Sequence, residues 1–163
     1  MSTRPIIRTL ALLAVLSPSA VLAAQATGTL SVSATVLSTC TVTSLPLAFG
    51  NYTPSAGDLA ATTTVSVLCT LGTPYKVRLG TGQNSSNVTT RKMKIAAGSE
   101  TLSYALYRDA SRTQNWGETD GTDTIDDTGT GLLKAHTVYG VIPGNQFVPA
   151  GVYSDSVTIT VNY

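Results

Sequence analysis

The sequence predicts an all-β fold, a β-sandwich of immunoglobulin-like kind. Three observations lead there. Apolar and polar residues alternate over many short runs, which is the period of half-buried strands. Gly and Pro punctuate those runs at short intervals. Charged residues make up only 12% of the chain, with Thr, Ser and Gly in their place. That share is well under the usual quarter and leaves few helix-type runs of Leu, Glu and Lys.

The chain has 163 residues, of which residues 1–24 are expected to be a secretory signal peptide. Arg4 and Arg8 form a positive front, "TLALLAVLSPSAVLA" is apolar, and small residues follow at "VLAA". The apolar stretch is shorter than a membrane span and is broken by Ser17-Pro18. The remainder, about 139 residues (163 minus 24), is the size of one domain. Lys and Arg number 10 against 9 Asp and Glu, so no basic field points to nucleic acid. No permanent membrane insertion is expected.

Taken in order, "TGTLSVSATVLSTCTV" alternates at Leu30, Val32, Ala34 and Val36. "LPLAFGNYTPSAGD" reads as a loop-rich link, and "TTTVSVLCT" as a strand. "PYKVRLGTG" alternates at Tyr75, Val77 and Leu79 and then turns at "GTGQNSSN". "RKMKIAAG" is a short strand, and "ETLSYALYRD" alternates at Leu102, Tyr104 and Leu106. The polar stretch "GETDGTDTIDDTGTG" reads as a loop. "HTVYGVIPGNQ" is a further strand. "AGVYSDSVTITVNY" closes the chain with Val157, Ile159, Val161 and Tyr163 in one phase. The total is about seven strands.

Cys40 and Cys69 are the two cysteines. Cys40 shares the parity of Leu30 to Val36, and Cys69 that of Val65 and Val67, so both face the apolar side. In an exported chain such a pair reads as a disulfide; free buried thiols are the alternative that an oxidising compartment disfavours.

Candidate sites for chemistry are weak. His136 is the single histidine, and no serine lies in a G-x-S-x-G elbow. A partly exposed histidine at a strand start is the plainer reading. Glu118, Asp120, Asp123, Asp126 and Asp127 lack EF-hand spacing, which leaves a looser calcium site or, better, a solvated hairpin loop. Arg91, Lys92 and Lys94 read as a solvated strand face. Asn51, Asn84 and Asn87 head glycosylation sequons, an unspecific motif. No cofactor or metal is expected, and an extracellular hydrolase is a distant reading.

The informative feature is the pair of patterned ends. Residues 25–44 carry no charge, and none follows Asp155. Edge strands without charge or Pro recruit other strands. Either the two ends satisfy each other within one chain, or they meet between chains as donor-strand complementation, which builds open filaments.

The segments "TGTLSVSATVLSTCTV", "LAFGNY", "CTLGTPYKV", "LSYALYRDASRTQNWG", "TVYGVIPGNQ" and "AGVYSDSVTITVNY" together resemble the spore coat protein U family, which includes subunits of archaic (Csu-type) chaperone–usher pili. Residues 107–113 and 151–163 carry the most specific part of that resemblance. The resemblance implies a pilin whose immunoglobulin-like sandwich is incomplete and is finished by a strand from a neighbouring subunit. It implies a donor segment at residues 25–38 (Leu30, Val32, Ala34, Val36) ahead of a sandwich domain at 39–163. It also implies an acceptor-groove strand bearing Val157, Ile159 and Val161. The implied partners are a periplasmic pilus chaperone, an outer-membrane usher, and identical or related pilin subunits in a linear polymer. A pilus of this kind would sit at the cell surface and serve adhesion and biofilm formation. A secreted spore or cell-surface coat protein of the same fold is the alternative. A tip adhesin would normally need a further receptor-binding domain.

Overall fold

The computed structural model describes residues 23–163. The expected signal peptide therefore lies outside the described residues, apart from its last two positions. The chain divides into two units, Met1–Ala34 and Thr35–Tyr163. Residues 23–39 carry no strand, and their side chains are exposed. The alternation at Leu30 to Val36 is present, but a strand needs a ladder partner, and these residues have none among the described residues.

The second unit is all-β apart from a 3-10 turn at Pro54–Ala56. Nine strands follow one another: β1 Cys40–Ser44, β2 Leu59–Cys69, β3 Pro74–Leu79, β4 Arg91–Ile95, β5 Thr101–Tyr107, β6 Ile125–Thr128, β7 Lys134–Ile142, β8 Tyr153–Ser154 and β9 Ile159–Asn162. They form a six-stranded sheet, β1-β2-β7-β5-β4-β8, and a three-stranded sheet, β6-β3-β9, with every neighbour antiparallel. This is the expected immunoglobulin-like sandwich with two more strands than the sequence suggests.

The core lies between the sheets and follows the predicted parities. Val65 and Val67 come from β2, Tyr75, Val77 and Leu79 from β3, Leu102, Tyr104 and Leu106 from β5, and Val138 and Ile142 from β7. Trp116 is buried among them and donates its indole N–H to the Val77 carbonyl at 2.9 Å. A buried indole needs such an acceptor.

Three expectations are corrected. The final run is two strands in different sheets, because the chain leaves β8 at Ser154 and crosses to β9. The polar stretch is not a solvated loop throughout, because it contains β6 paired to β3. Three of its five acids are matched by cations: Asp126 with Lys76 at 3.1 Å, Asp120 with Arg78 at 2.6 Å, and Asp127 with Lys134. Arg91 does not face solvent; it is 0% exposed. His136 is where the plainer reading puts it, near the start of a strand and partly exposed. It lies within β7, half-buried, with Nε2 at 3.0 Å from the Tyr75 hydroxyl. Burial holds its pKa below the usual value against the raising effect of Asp127, so it is neutral at neutral pH.

Candidate functional site

Cys40 and Cys69 are joined by a disulfide between the first residue of β1 and the last of β2, where they are direct cross-strand partners. From there β1 runs along the edge of the large sheet. Its pairing ends at Leu45, whose N–H donates to the Thr64 carbonyl at 3.1 Å and whose carbonyl accepts from Thr63 Oγ1 at 2.8 Å. The next residue is Pro46, which has no N–H to continue a ladder. The chain leaves β2 here, and Leu47 and Phe49 pack against the core. Gly140 of β7 makes room for them: a Cβ there would stand 2.6 Å from Leu47 and 2.8 Å from Phe49. Phe49 meets Tyr104 edge to face, with ring centroids 6.2 Å apart.

The opposite wall is the β8–β9 crossover. Asp155 fixes it. One carboxylate oxygen accepts from the Gln83 N–H at 2.8 Å and from Asn84 Nδ2 at 3.1 Å; the other accepts from the Tyr104 hydroxyl at 2.7 Å. Burial, then the Asp155 contact, pushes the Tyr104 phenol far above its ordinary pKa. Past the crossover, the Gly80 N–H donates to the Thr158 carbonyl at 2.9 Å, and β9 pairs with β3 from Ile159 opposite Leu79. Among the described residues, no strand lies on the other side of β9.

Between these walls lies an apolar cleft of about 350 Å³. Leu45, Leu47 and Phe49 form one side, and Val157 and Ile159 the other. The floor is the core itself: Val65, Leu79, Leu106 and Val138 are almost fully buried and still line the cleft. A second cleft of about 580 Å³ shares Leu47, Phe49, Met93 and Tyr153 with the first and runs on to residues 148–152. The two make one open groove along the sandwich.

Of the expected acceptor residues, Val157 and Ile159 line the groove, whereas Val161 packs against the core opposite Val77. Leu30, Val32 and Val36 are 82–88% exposed, and Ala34 is exposed beside them. Sequence reasoning missed Leu47, Phe49 and Asp155. The signals were there: the alternation of Leu45, Leu47 and Phe49 runs through a stretch read as a loop, and Asp155 is the sole Asp, Glu, Lys or Arg after Lys134.

Around His136 the contacts are structural. Its hydrogen-bond neighbour is a tyrosine, and the nearby Asp127 is held by Lys134. Among the described residues no group of three or more His, Cys, Asp or Glu is placed to hold a metal. No helix among them is long and apolar enough to cross a membrane.

Comparison with known proteins gives this groove its context. Residues 26–160 match the Spore Coat Protein U domain family. Protein U of Myxococcus xanthus is 37% identical over 156 residues, covering 86% of this chain and 87% of that protein. Among solved structures, similarity extends to the CsuC–CsuE chaperone–tip adhesion subunit pre-assembly complex from archaic chaperone–usher Csu pili of Acinetobacter baumannii. The identity to the matched chain is 25%, the TM-score is 0.59, and the match covers 79% of this chain and 41% of that one. The present chain thus spans about two fifths of that chain's length. With the family match running over most of the sandwich and its N-terminal extension, the chain belongs to the Spore Coat Protein U domain family.

Proposed function

We propose that this chain is a structural subunit of a surface pilus of the chaperone–usher type, and that residues 25–38 of one copy fill the groove of the next. One observation carries the reading. The same chain holds an open apolar groove beside an unpaired edge, β9, and an exposed alternating segment without a partner. The side-chain period of two matches Leu30, Val32, Ala34 and Val36 to one face of an inserted strand. Insertion would bury those side chains and satisfy the free backbone groups of β9.

The filling strand comes from another copy because of how the chain enters β1. The Thr39 N–H donates to Thr70 Oγ1 at 3.2 Å, the Thr70 N–H donates to the Thr39 carbonyl at 3.0 Å, and Thr70 Oγ1 donates to the Leu37 carbonyl at 3.3 Å. Thr73 Oγ1 donates to Ser38 Oγ at 3.2 Å. Residues 37–39 thus continue the line of β1 along residues 70–73, and no turn there leads back to the groove.

On this reading residues 1–24 are removed on export and residues 39–163 form the pilin domain. A periplasmic chaperone covers the groove before assembly, and an outer-membrane usher exports the growing polymer. Adhesion and biofilm formation are the roles such a fibre would serve. The second reading, a coat protein on a spore or cell surface, is favoured by the match to the Spore Coat Protein U domain family. It would use the same groove, and electron microscopy of expressing cells, with and without the chain, separates fibres from a layer.

The groove itself is tested by moving the segment. Residues 25–36 are deleted and a copy is placed after Tyr163 through an Asn-Gly turn, which returns it antiparallel to β9. The expected product is a soluble monomer with a higher melting temperature than the deletion alone. Val32→Asp in the copy should remove most of the gain, because it would put an unpaired charge in the groove. Equal melting of the graft and the plain deletion would refute donor-strand filling.

A further inference from the structure

The two outer faces of the sandwich differ in kind. On the small sheet the outward cations Lys76 and Arg78 are matched by Asp126 and Asp120. On the large sheet the outward residues are those out of phase with the core: even numbers in β2 and β4, odd numbers in β1, β5 and β7. They include two lysines, Lys92 and Lys94, and no acid. Both lysines are exposed, and among the described residues neither pairs with a carboxylate. The acid that follows on the β5 parity, Asp109, lies past the strand and is held in its own turn by Ser111, Thr113 and Gln114. Tyr107 and Tyr139 are direct cross-strand partners on this face, and Thr62 stands opposite Tyr139 on the next strand. Such partners have Cβ atoms about 4.5–5.5 Å apart, so the three side chains form one row across β5, β7 and β2. The hydroxyls of Tyr52, Tyr75, Tyr104 and Tyr153 are bonded within the fold. Tyr107 and Tyr139 are partly exposed, and their hydroxyls have no partner among the described residues. Farther along β5, Ser103 faces Lys92 and Thr101 faces Lys94.

We propose that this face binds an acidic polysaccharide laid flat across it, with Tyr107 and Tyr139 packed against sugar rings and Lys92 and Lys94 paired with carboxylates of the polymer. The inference rests on the display outside the cell proposed above, and it specifies what such a fibre or layer adheres to. Shape selects a polymer. Small molecules are held in concave sites, and none of these side chains lines either cleft. Six strands at 4.7–4.9 Å spacing give a face about 24 Å across, room for several units of an extended chain. Chemistry selects the class of polymer. A protein partner needs an apolar centre, whereas the tyrosine pair is flanked by the hydroxyls of Thr62, Thr64 and Thr137. A nucleic acid carries a charge on every phosphate and is met by clustered cations, and two lysines fall short of that. A polyuronate offers C–H faces for the tyrosine rings, hydroxyls for the tyrosine and threonine oxygens, and spaced carboxylates for the lysines. No acid on the face repels it. Exposed lysine–carboxylate pairs are individually weak, so retention comes from many copies meeting one repeating polymer.

The test measures adsorption of the full exported chain to immobilised polygalacturonate, with dextran, duplex DNA and anionic lipid vesicles as competing surfaces. The parent should bind polygalacturonate at low salt and release it as salt rises. Lys92→Gln/Lys94→Gln, at exposed positions that the fold does not use, should bind roughly tenfold more weakly at low salt, with the difference closing at about 0.5 M salt. Tyr107→Leu/Tyr139→Leu keeps apolar bulk and loses the flat rings; it should weaken binding roughly tenfold at every salt concentration. Lys76→Gln removes the same charge from the other face and should bind like the parent. Absence of binding by the parent, or lysine and tyrosine variants that both bind like it, would overturn the proposal. So would equal binding to dextran, which would make the lysines irrelevant, and stronger binding to DNA or vesicles through the same residues, which would assign the face to another polyanion. Purified chain is used throughout, so each of these failures leaves the surface display to be decided by microscopy of expressing cells.

Discussion

Arg91→Met should cost the domain much of its stability and loosen one wall of the groove. The guanidinium is fully buried and donates to four carbonyls: Nε to Gly80 at 2.7 Å, one terminal nitrogen to Val88 at 2.7 Å, and the other to Leu79 at 2.8 Å and Trp116 at 2.7 Å. Burial lowers its pKa, but arginine remains protonated at any ordinary pH. A hydrogen bond to a charged group is worth about 1.5–3 kcal/mol, so four give a gross loss of about 6–12 kcal/mol. Removing the ion also recovers a desolvation penalty of several kcal/mol. The expected net cost is about 3–5 kcal/mol, against a typical domain stability of about 5–15 kcal/mol. Arg91→Lys, with three donors and no planar fork, should fall between the two. Urea unfolding checks this as a lower midpoint at unchanged slope. The Leu79 and Gly80 carbonyls lie where β3 holds β9, so hydrogen exchange should quicken there first. A methionine variant as stable as the parent would refute the reasoning, because it would mean that apolar packing replaces the ion at no cost.

Replacing both cysteines by serine should lower stability by about 3–4 kcal/mol, the chain-entropy value for a loop of this size, read as a urea midpoint shift. Calcium at about millimolar concentration should leave the melting temperature unchanged, because Asp120, Asp126 and Asp127 already hold Arg78, Lys76 and Lys134. An increase of several degrees would contradict that. Alkali should unfold the domain in a defined window. The Tyr75 phenol is pushed up to about 12 by burial first, and then by the charge and hydrogen bond of Asp127. Its unfolded value is about 10. A raised folded pKa contributes stability that is whole below pH 10 and is lost as pH rises through 12. Phenolate absorbance should therefore rise together with loss of structure, and Tyr75→Phe should flatten the dependence.

Much of the sandwich is legible in the sequence because period-two alternation and one-sided burial are the same fact in the runs 74–79 and 101–107. The rest fails for identifiable reasons. β6 reads as a loop because Asp126 and Asp127 lie within it, and only Lys76 on the neighbouring β3 and Lys134 on β7 of the other sheet make a strand of such residues tolerable. The division between β8 and β9 is hidden because Tyr153, Asp155, Val157 and Ile159 keep one parity across the change of sheet. Arg91 and Asp155 could have been found by a sharper use of the same pattern. Arg91 shares its parity with Met93 and Ile95, and Asp155 with Val157 and Ile159. A charge on the inward face demands partners, so each announced a buried network. The groove walls at Leu47 and Phe49 were obscured by Pro46, which ends pairing without ending packing.

The position of the disulfide gains its meaning from the proposed polymer. β1 is a five-residue edge strand paired on one side only, to β2. If residues 25–38 are seated in a neighbour, tension along the fibre enters each domain through Thr39 and pulls on the first rung of that ladder. Load applied at the end of a ladder opens it one pair at a time, which is the weakest way to load hydrogen bonds worth about 1 kcal/mol each. Behind the hydrogen bonds of Thr39 to Thr70, the first rung of β1 is Cys40 opposite Cys69, and it is covalent. The force therefore passes directly into β2, which pairs with β7 over nine residues from Leu59 to Val67 and is covered on both sides within its sheet. A bridge at any later rung would stabilise the unstressed fold comparably, since loop-closure entropy changes slowly with loop length. Only the first rung also stops the edge strand from peeling. A loss of tensile strength in the serine variant larger than its urea shift accounts for is the corollary of that placement.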